Sequence, residues 1–283
     1  AVNTGGEPGY DGAVISIRGN NTLGNNDPLL VIDGVPSPAG QTSIDRINPA
    51  DVENISVLND ASAAIYGSRA ANGVILVTTR RGFVGKPVID ITAENSWQSP
   101  TRLPKMVSAY DYALLTNQVA MQNGNAPIYS DYELDRYKLG DKPDLYPVRN
   151  YVKEFTQTSP MRKVNVNVSG GSEKMKYFTT VGYLYQEGMF RTQKFDEYNY
   201  DPKSKASRVN FRSNFDINLS PSLKMFLNVA GYMQKKNDPI IVPNNPAYAN
   251  DAAGYSVMLA SLVQRPNLAS NDLTPDGEVL SSS

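Results

Sequence analysis

Two kinds of hydrophobic pattern divide the chain. Through residue 85 the apolar positions fall in short unbroken runs, Leu29-Leu30-Val31-Ile32 and Val74-Ile75-Leu76-Val77. Runs of this length predict strands covered on both faces. Strands are expected over Val14–Arg18, Leu29–Ile32, Ile55–Leu58 and Val74–Thr78, with the tight-turn pairs Asp33-Gly34 and Asn72-Gly73 pinning two of them. Between them, "DASAAIY" at 60–66 predicts a short helix with Asp60 as its N-cap. This half reads as a small α+β globule.

From residue 86 the period becomes two. Val209, Phe211, Phe215, Ile217 and Leu219 fall on one face of a strand, against Asn210, Arg212, Asn214, Asp216 and Asn218 on the other. Val164, Val166 and Val168 repeat this against Lys163, Asn165, Asn167 and Ser169. Ile89, Ile91 and Ala93 oppose Asp90, Thr92 and Glu94; Tyr177, Val181, Tyr183 and Tyr185 share a face. Leu223, Met225, Leu227 and Val229 oppose mostly polar positions, Phe226 being the exception. The junctions "GGSEK" (170–174) and "SPS" (220–222) are short, whereas 100–162, 187–206 and 234–283 are long. A membrane-crossing barrel strand needs about 9–11 residues, and such barrels alternate short turns with long loops. A soluble β-sandwich alternates as well, so on pattern alone both architectures stay open. Inside 100–162, Ser108 with Asp111 opens a helix "AYDYALLTNQVAMQ", on which Tyr112, Leu115 and Val119 recur on one face. Ser130 with Glu133 opens another, which Gly140 can end.

Composition removes several functions. The chain has no cysteine and no histidine, so disulfides, thiolate metal sites and the commonest general base are absent from it. A formal charge of -1 gives no bulk attraction to nucleic acid. No apolar run approaches the roughly 20 residues of a membrane helix, which leaves a barrel open. The start, "AVNTGGEPGY", has neither a basic segment nor an apolar signal core, and reads as a mature or truncated terminus. The carboxylates Asp131, Glu133, Asp135, Asp141 and Asp144 are interleaved with Arg136, Lys138 and Lys142 and read as a solvated face rather than a glycosidase pair. No nucleophile elbow, phosphate loop or zinc spacing appears, so neither an enzyme nor a cofactor or metal site is expected.

Four ordered stretches then carry a resemblance: "VISIRG" (14–19), "PLLVIDGVP" (28–36), "INPADVENISVLNDASAAIYGSRAANGVILVTTRRG" (47–82) and "VNVSGGSEKMKYFTTVGYLYQEGMF" (166–190). Together they resemble the SusC/RagA family of TonB-dependent outer-membrane transporters. The resemblance implies an α+β plug domain followed by antiparallel transmembrane β-barrel strands. Residues 1–85 would be the C-terminal portion of the plug, and 86–283 the N-terminal part of the barrel with long extracellular loops. "RRGFVGKP" (80–87) would be the exit from one to the other. The family's barrel has about 22 strands, a size class with a plugged lumen. Five strands alone would leave two unpaired edges in lipid, so a piece of a larger protein is expected.

The family also implies a function and partners. It implies import of a large nutrient, a glycan or peptide, across the outer membrane of a Gram-negative bacterium. TonB would supply the energy through a segment N-terminal to this sequence, and a SusD-like lipoprotein would close the mouth. A passive porin and a secreted glycan-binding β-protein are the alternatives. Arg18 and Arg69 are the first candidates for plug–barrel contacts, with Arg80 and Arg81 also available; Asn59 stands where relatives usually carry a basic residue. Asn210, Arg212, Asn214 and Asp216 would face the lumen or the plug, and Val209, Phe211, Phe215 and Ile217 the lipid. Asn244, Asn245 and Tyr248, in a loop rich in Asn, Pro and Tyr, are candidates for the substrate side.

Overall fold

The computed structural model describes residues 2–3, 8–9, 13–17, 26–37, 44, 46–59, 61–192, 203–237 and 266–267. Near the start, β1 (Val2–Asn3) and β2 (Ala13–Val14) pair antiparallel. Among the described residues of the expected strand over Val14–Arg18, Val14 alone is ladder-paired; Ile15 and Ile17 serve as packing groups instead.

A four-stranded sheet follows, made of β3 (Leu29–Ile32), β4 (Val35–Pro36), β5 (Val52–Leu58) and β6 (Val74–Thr79) in the order β4-β3-β6-β5. β3 runs parallel to β6, and the remaining pairs are antiparallel. On one face Val31 and Val74 pack with Ala63, Ala70, Leu58 and Tyr66; on the other Leu30, Ile75 and Val77 pack with Ile15, Ile17, Ile44, Ile47 and Val52. Both faces are covered, which is why each run is continuously apolar rather than alternating. The predicted helix over 60–66 is a run of 3₁₀ turns over Ala61–Ala70, broken at Gly67 (φ 71°); Asp60 lies outside the described residues.

Five long strands form a second sheet, paired in sequence order and wholly antiparallel: β7 (Gly85–Gln98), β8 (Ser159–Gly171), β9 (Met175–Glu187), β10 (Lys205–Ser220) and β11 (Leu223–Asn237). Register turns the alternation of single strands into rows. Ile91, Val166, Val181, Phe211 and Gly231 are mutual partners on one face, and Thr92, Asn165, Gly182, Asn210 and Tyr232 on the other. A slip of one residue on any strand would mix the two rows.

The connection after β7 belongs to a second compact unit comprising 99–158, 189–203 and 238–283. It holds α1 (Ala109–Gln122), α2 (Asp131–Leu139) and α3 (Tyr151–Phe155), the last not anticipated from the sequence. Ser108 caps α1; Ser130 and Glu133 form a reciprocal capping box on α2, which ends in the left-handed Gly140. α1 buries Ala109, Ala113, Asn117 and Ala120. The predicted stripe points the other way, with Leu115 and Val119 about half exposed (51% and 55%). Small side chains let α1 approach a cluster where Tyr137 packs edge-on against Tyr129 and Tyr146. Of the five carboxylates read as a solvated face, Glu133 serves the cap and Asp141 pairs with Arg136; Asp131, Asp135 and Asp144 are exposed.

Asn117 is the polar centre of this unit. Its carbonyl oxygen accepts from the backbone N–H groups of Ile128 (2.9 Å) and Tyr129 (2.8 Å), and its amide donates to the Tyr129 carbonyl (2.7 Å). Asn117→Ala orphans three backbone groups at a buried position, at a cost of about 2–3 kcal/mol. Hydrogen exchange should show the Ile128 and Tyr129 amides losing protection, with exchange in β8–β11 unchanged.

Candidate functional site at the globule–sheet seam

One strand of the long sheet grips the globule at every inward position over seven residues. On β10, Asn210 donates its amide to the Arg46 carbonyl (2.6 Å). Arg212 lies between Asp33 (3.7 Å) and Asp51 (3.4 Å). Asn214 donates to both the Thr79 hydroxyl (2.9 Å) and the Arg80 carbonyl (2.8 Å), and Asp216 accepts from the Arg81 guanidinium. The period-two alternation aims these four side chains at one surface. The globule supplies the partners from four places: the β3–β4 turn, Arg46, the 3₁₀ turn Pro49–Asp51, and the stretch Thr79–Arg81 that ends and leaves β6.

Local chemistry explains why the globule's partners stand where they do. Asp33 (φ 48°) and Gly34 (φ 85°) both take positive φ, as a two-residue I′ hairpin requires. Aspartate tolerates that conformation, and here its carboxylate turns back to the end of β6, accepting the Thr79 N–H (2.8 Å) and hydroxyl (2.6 Å). The same carboxylate faces Arg212, so one turn ties β3, β6 and β10 together. Asp51 ends the turn that Asn48 caps. Asn48 also donates to Asn165 on β8 (2.7 Å), an approach that needs Gly182 on the adjacent strand, because a methyl group there would overlap the Asn48 amide.

The electrostatics are unevenly balanced. The side chains of Arg212, Asp33 and Asp51 are 9%, 5% and 4% exposed. Both ion-pair distances exceed the roughly 2.7–2.9 Å of a strong charge-assisted bond. Asp51 Oδ1, Arg212 Nε and Asn214 Oδ1 have no hydrogen-bond partner among the described residues. Burial pushes the Asp51 carboxyl above its ordinary value, against the opposing pull of Arg212, the Thr180 hydroxyl and Arg80. Two crevices flank the gripped line. One, of about 330 Å³, is mixed, with Pro49, Met161 and Leu184 beside Asn48, Asn165 and Asn210; the other, of about 410 Å³, is polar, lined by Glu53, Arg80, Arg81, Asp90 and Asn167. Among the described residues, what the arrangement supplies is a set of bonds that hold the globule and align it on the wall of β10.

Of the contact arginines expected from the sequence, Arg69 is exposed and none of the described seam bonds uses it; Arg18 lies outside the described residues, as do Asn244, Asn245 and Tyr248. The arginines that reach β11 are Arg81, over the Phe226 ring (5.6 Å), and Arg46, over the Tyr232 ring (5.2 Å). Phe226, the apolar exception on its polar face, is thereby accounted for. Position alone marked Arg81, at the passage from globule to long strand; no local signal marked Arg46. Asn72 and Gly73 lie within the globule, where the Gly73 carbonyl accepts from Leu29 N–H. On the opposite face of β10, Val209 (39%) and Phe211 (45%) are exposed, while Phe215 and Ile217 are half-buried among neighbours.

Asn214→Leu removes two donated bonds and leaves the part-buried Arg80 carbonyl without this donor, costing about 1–2 kcal/mol at the seam. Limited trypsin digestion should then cut after Arg80 or Arg81, where the unaltered protein resists.

Comparisons with known proteins agree with this geometry. Residues 1–74 match the family model described as the TonB-dependent receptor plug domain. TonB-dependent receptor P26 of Formosa agariphila is 33% identical over 95% of this chain and 26% of its own length. TonB-dependent receptor SusC of Bacteroides thetaiotaomicron is 29% identical over 88% of this chain and 24% of its own. The solved RagAB peptide transporter matches 78% of this chain and 26% of its own, at 25% identity and a TM-score of 0.62. The chain thus spans about a quarter of the length of the relatives it matches. A plug-type globule held on the polar face of an antiparallel barrel sheet, in a sequence that aligns with SusC and a fold that aligns with RagAB, makes this chain a member of the SusC/RagA-like TonB-dependent receptors.

Proposed function

We propose that the chain forms the plug and first wall strands of an outer-membrane importer for a large nutrient, a peptide or a glycan. TonB drives it, and a SusD-like lipoprotein closes over its mouth. The observation that carries this reading is the buried polar seam. An open diffusion pore has no use for a globule bonded to its inner wall at four successive inward positions. The RagAB relative is a peptide transporter by description, which supports the class of cargo.

The outer face of the sheet supports the membrane setting. From Val209 to Leu219 the outward side chains span ten residue steps, about 33 Å of strand at roughly 3.3 Å each. Tilted by about 40°, that is a band about 25 Å tall, the height of the lipid-facing belt of an outer-membrane barrel. Two small hydroxyl side chains interrupt the band, Thr179 and Ser213, and they hydrogen-bond to each other (3.1 Å) across adjacent strands. Pairing lowers the cost of placing them against hydrocarbon. In this reading Val209, Phe211, Phe215 and Ile217 touch lipid, and Asn210, Arg212, Asn214 and Asp216 meet the plug.

Two measurements test the proposal. Cells carrying the full-length protein are given fluorescein-labelled peptide and oligosaccharide pools, with and without TonB; import should collapse without it, and undiminished entry of either pool would leave a passive pore. Separately, Phe211→Arg places a charge near mid-membrane, at a cost of about 2–4 kcal/mol. The heat-modifiable barrel form should fall markedly in that variant. Normal assembly of Phe211→Arg would mean that this face does not meet lipid.

A further inference from the structure

Resting on the importer reading, we propose that Arg212 is the positioning residue of a releasable latch. It aligns the docked plug on the wall through Asp33 and Asp51, and it gives up those partners to water when the plug shifts.

Three observations carry this. First, a single wall side chain reaches two separate plug elements, the β3–β4 turn and the turn before β5, so its loss frees both at once. Second, the cluster is buried but under-bonded: both ion pairs are long, and Asp51 Oδ1 and Arg212 Nε have no hydrogen-bond partner among the described residues. The incompletely offset burial of Asp51 points the same way. Third, a buried ionic triad is a poor choice if holding is the sole purpose, since apolar replacements of similar volume often hold as well or better. What an ionic seam does better is separate. A guanidinium and two carboxylates recover hydration on exposure, whereas an apolar seam would put hydrocarbon into water. The neighbours divide the labour: Asn214 and Asp216 tie the exit of the plug chain at Thr79–Arg81, and Arg212 holds the two turns.

The proposal separates two variants that an ordinary packing role would not. Arg212→Met alone leaves two buried carboxylates facing an apolar wall and should loosen the plug. The triple variant Arg212→Met, Asp33→Asn, Asp51→Leu makes the seam neutral. Asparagine in the β3–β4 turn suits its left-handed backbone and can still accept the Thr79 N–H. This variant should hold the plug shut. The reporter is Phe178→Cys in the full-length transporter, as the sole reactive cysteine: Phe178 pairs with Asn214 across β9 and β10, is 4% exposed, and its hydrocarbon side chain makes no hydrogen bond to the latch. A bulky maleimide applied to cells labels it only when the plug has moved.

At matched amounts of heat-modifiable protein, the reporter alone should label only with TonB active. Arg212→Met should label at least tenfold faster without TonB. The triple variant should stay unlabelled even with TonB active. The transposed pair Arg212→Asp, Asp51→Arg should regain TonB-dependent labelling, which guards against a simple folding defect. Arg212→Met labelling no faster than the reporter alone would show that Arg212 does not position the plug. A triple variant that labels normally with TonB, or freely without it, would show that ionic character is irrelevant to release. If TonB never exposes the reporter, the importer reading fails on its own, and the comparison of Arg212→Met with the reporter without TonB still decides what Arg212 does.

Discussion

A polar surface can be buried only if its hydrogen-bonding groups find partners, and that requirement organises the first unit of this chain. The inner face of β10 presents an amide, a guanidinium, a second amide and a carboxylate in strict alternation. Each is met by a group of the globule: the Arg46 carbonyl, the Asp33 and Asp51 carboxylates, the end of β6, and the Arg81 guanidinium. Without the globule these residues would need water. Without β10 the β3–β4 turn, the Pro49–Asp51 turn and the plug exit would share no common anchor.

The same constraint explains why the two sheets are written in different patterns. β3 and β6 are covered by packing on both sides, so their runs are continuous. The long strands separate two unlike environments, so their side chains alternate. The boundary between the patterns, near Arg80–Gly85, is where the chain leaves the globule and enters β7. It is also where the seam is most densely bonded. A joint of this kind keeps plug and wall in register while leaving the bonds themselves polar, and so replaceable by water.

The helical unit follows a different logic. Its order rests on caps at Ser108, Ser130 and Asn150 and on Asn117, which closes the segment between α1 and α2 by bonding to backbone alone. Capping signals are short-range and were readable in advance at Ser108 and Ser130. The packing side of α1 was not. Leu115 and Val119 recur on one face, yet the face that packs on the tyrosine cluster is the stripe of alanines. Propensity identifies a helix; the shape of its neighbour chooses the face.

Much of the architecture was legible from residue order. The strands Leu29–Ile32 and Val74–Thr78, the hairpin turn at Asp33-Gly34, the change of period near residue 86, the five alternating strands and the alternation of β10 all follow from turn chemistry and period, which act over a few residues. The ordered motifs from 14 to 190 pointed to the family. What the sequence could not contain was the pairing: that Arg212 faces Asp33 and Asp51, that Arg46 and Arg81 rather than Arg69 reach the wall, and that Phe226 lies under a guanidinium. Those partners stand more than a hundred residues apart along the chain. Alternation specifies only that a side chain points inward, so the choice of partner belonged to the tertiary structure, where register and close approach decide which inward groups meet.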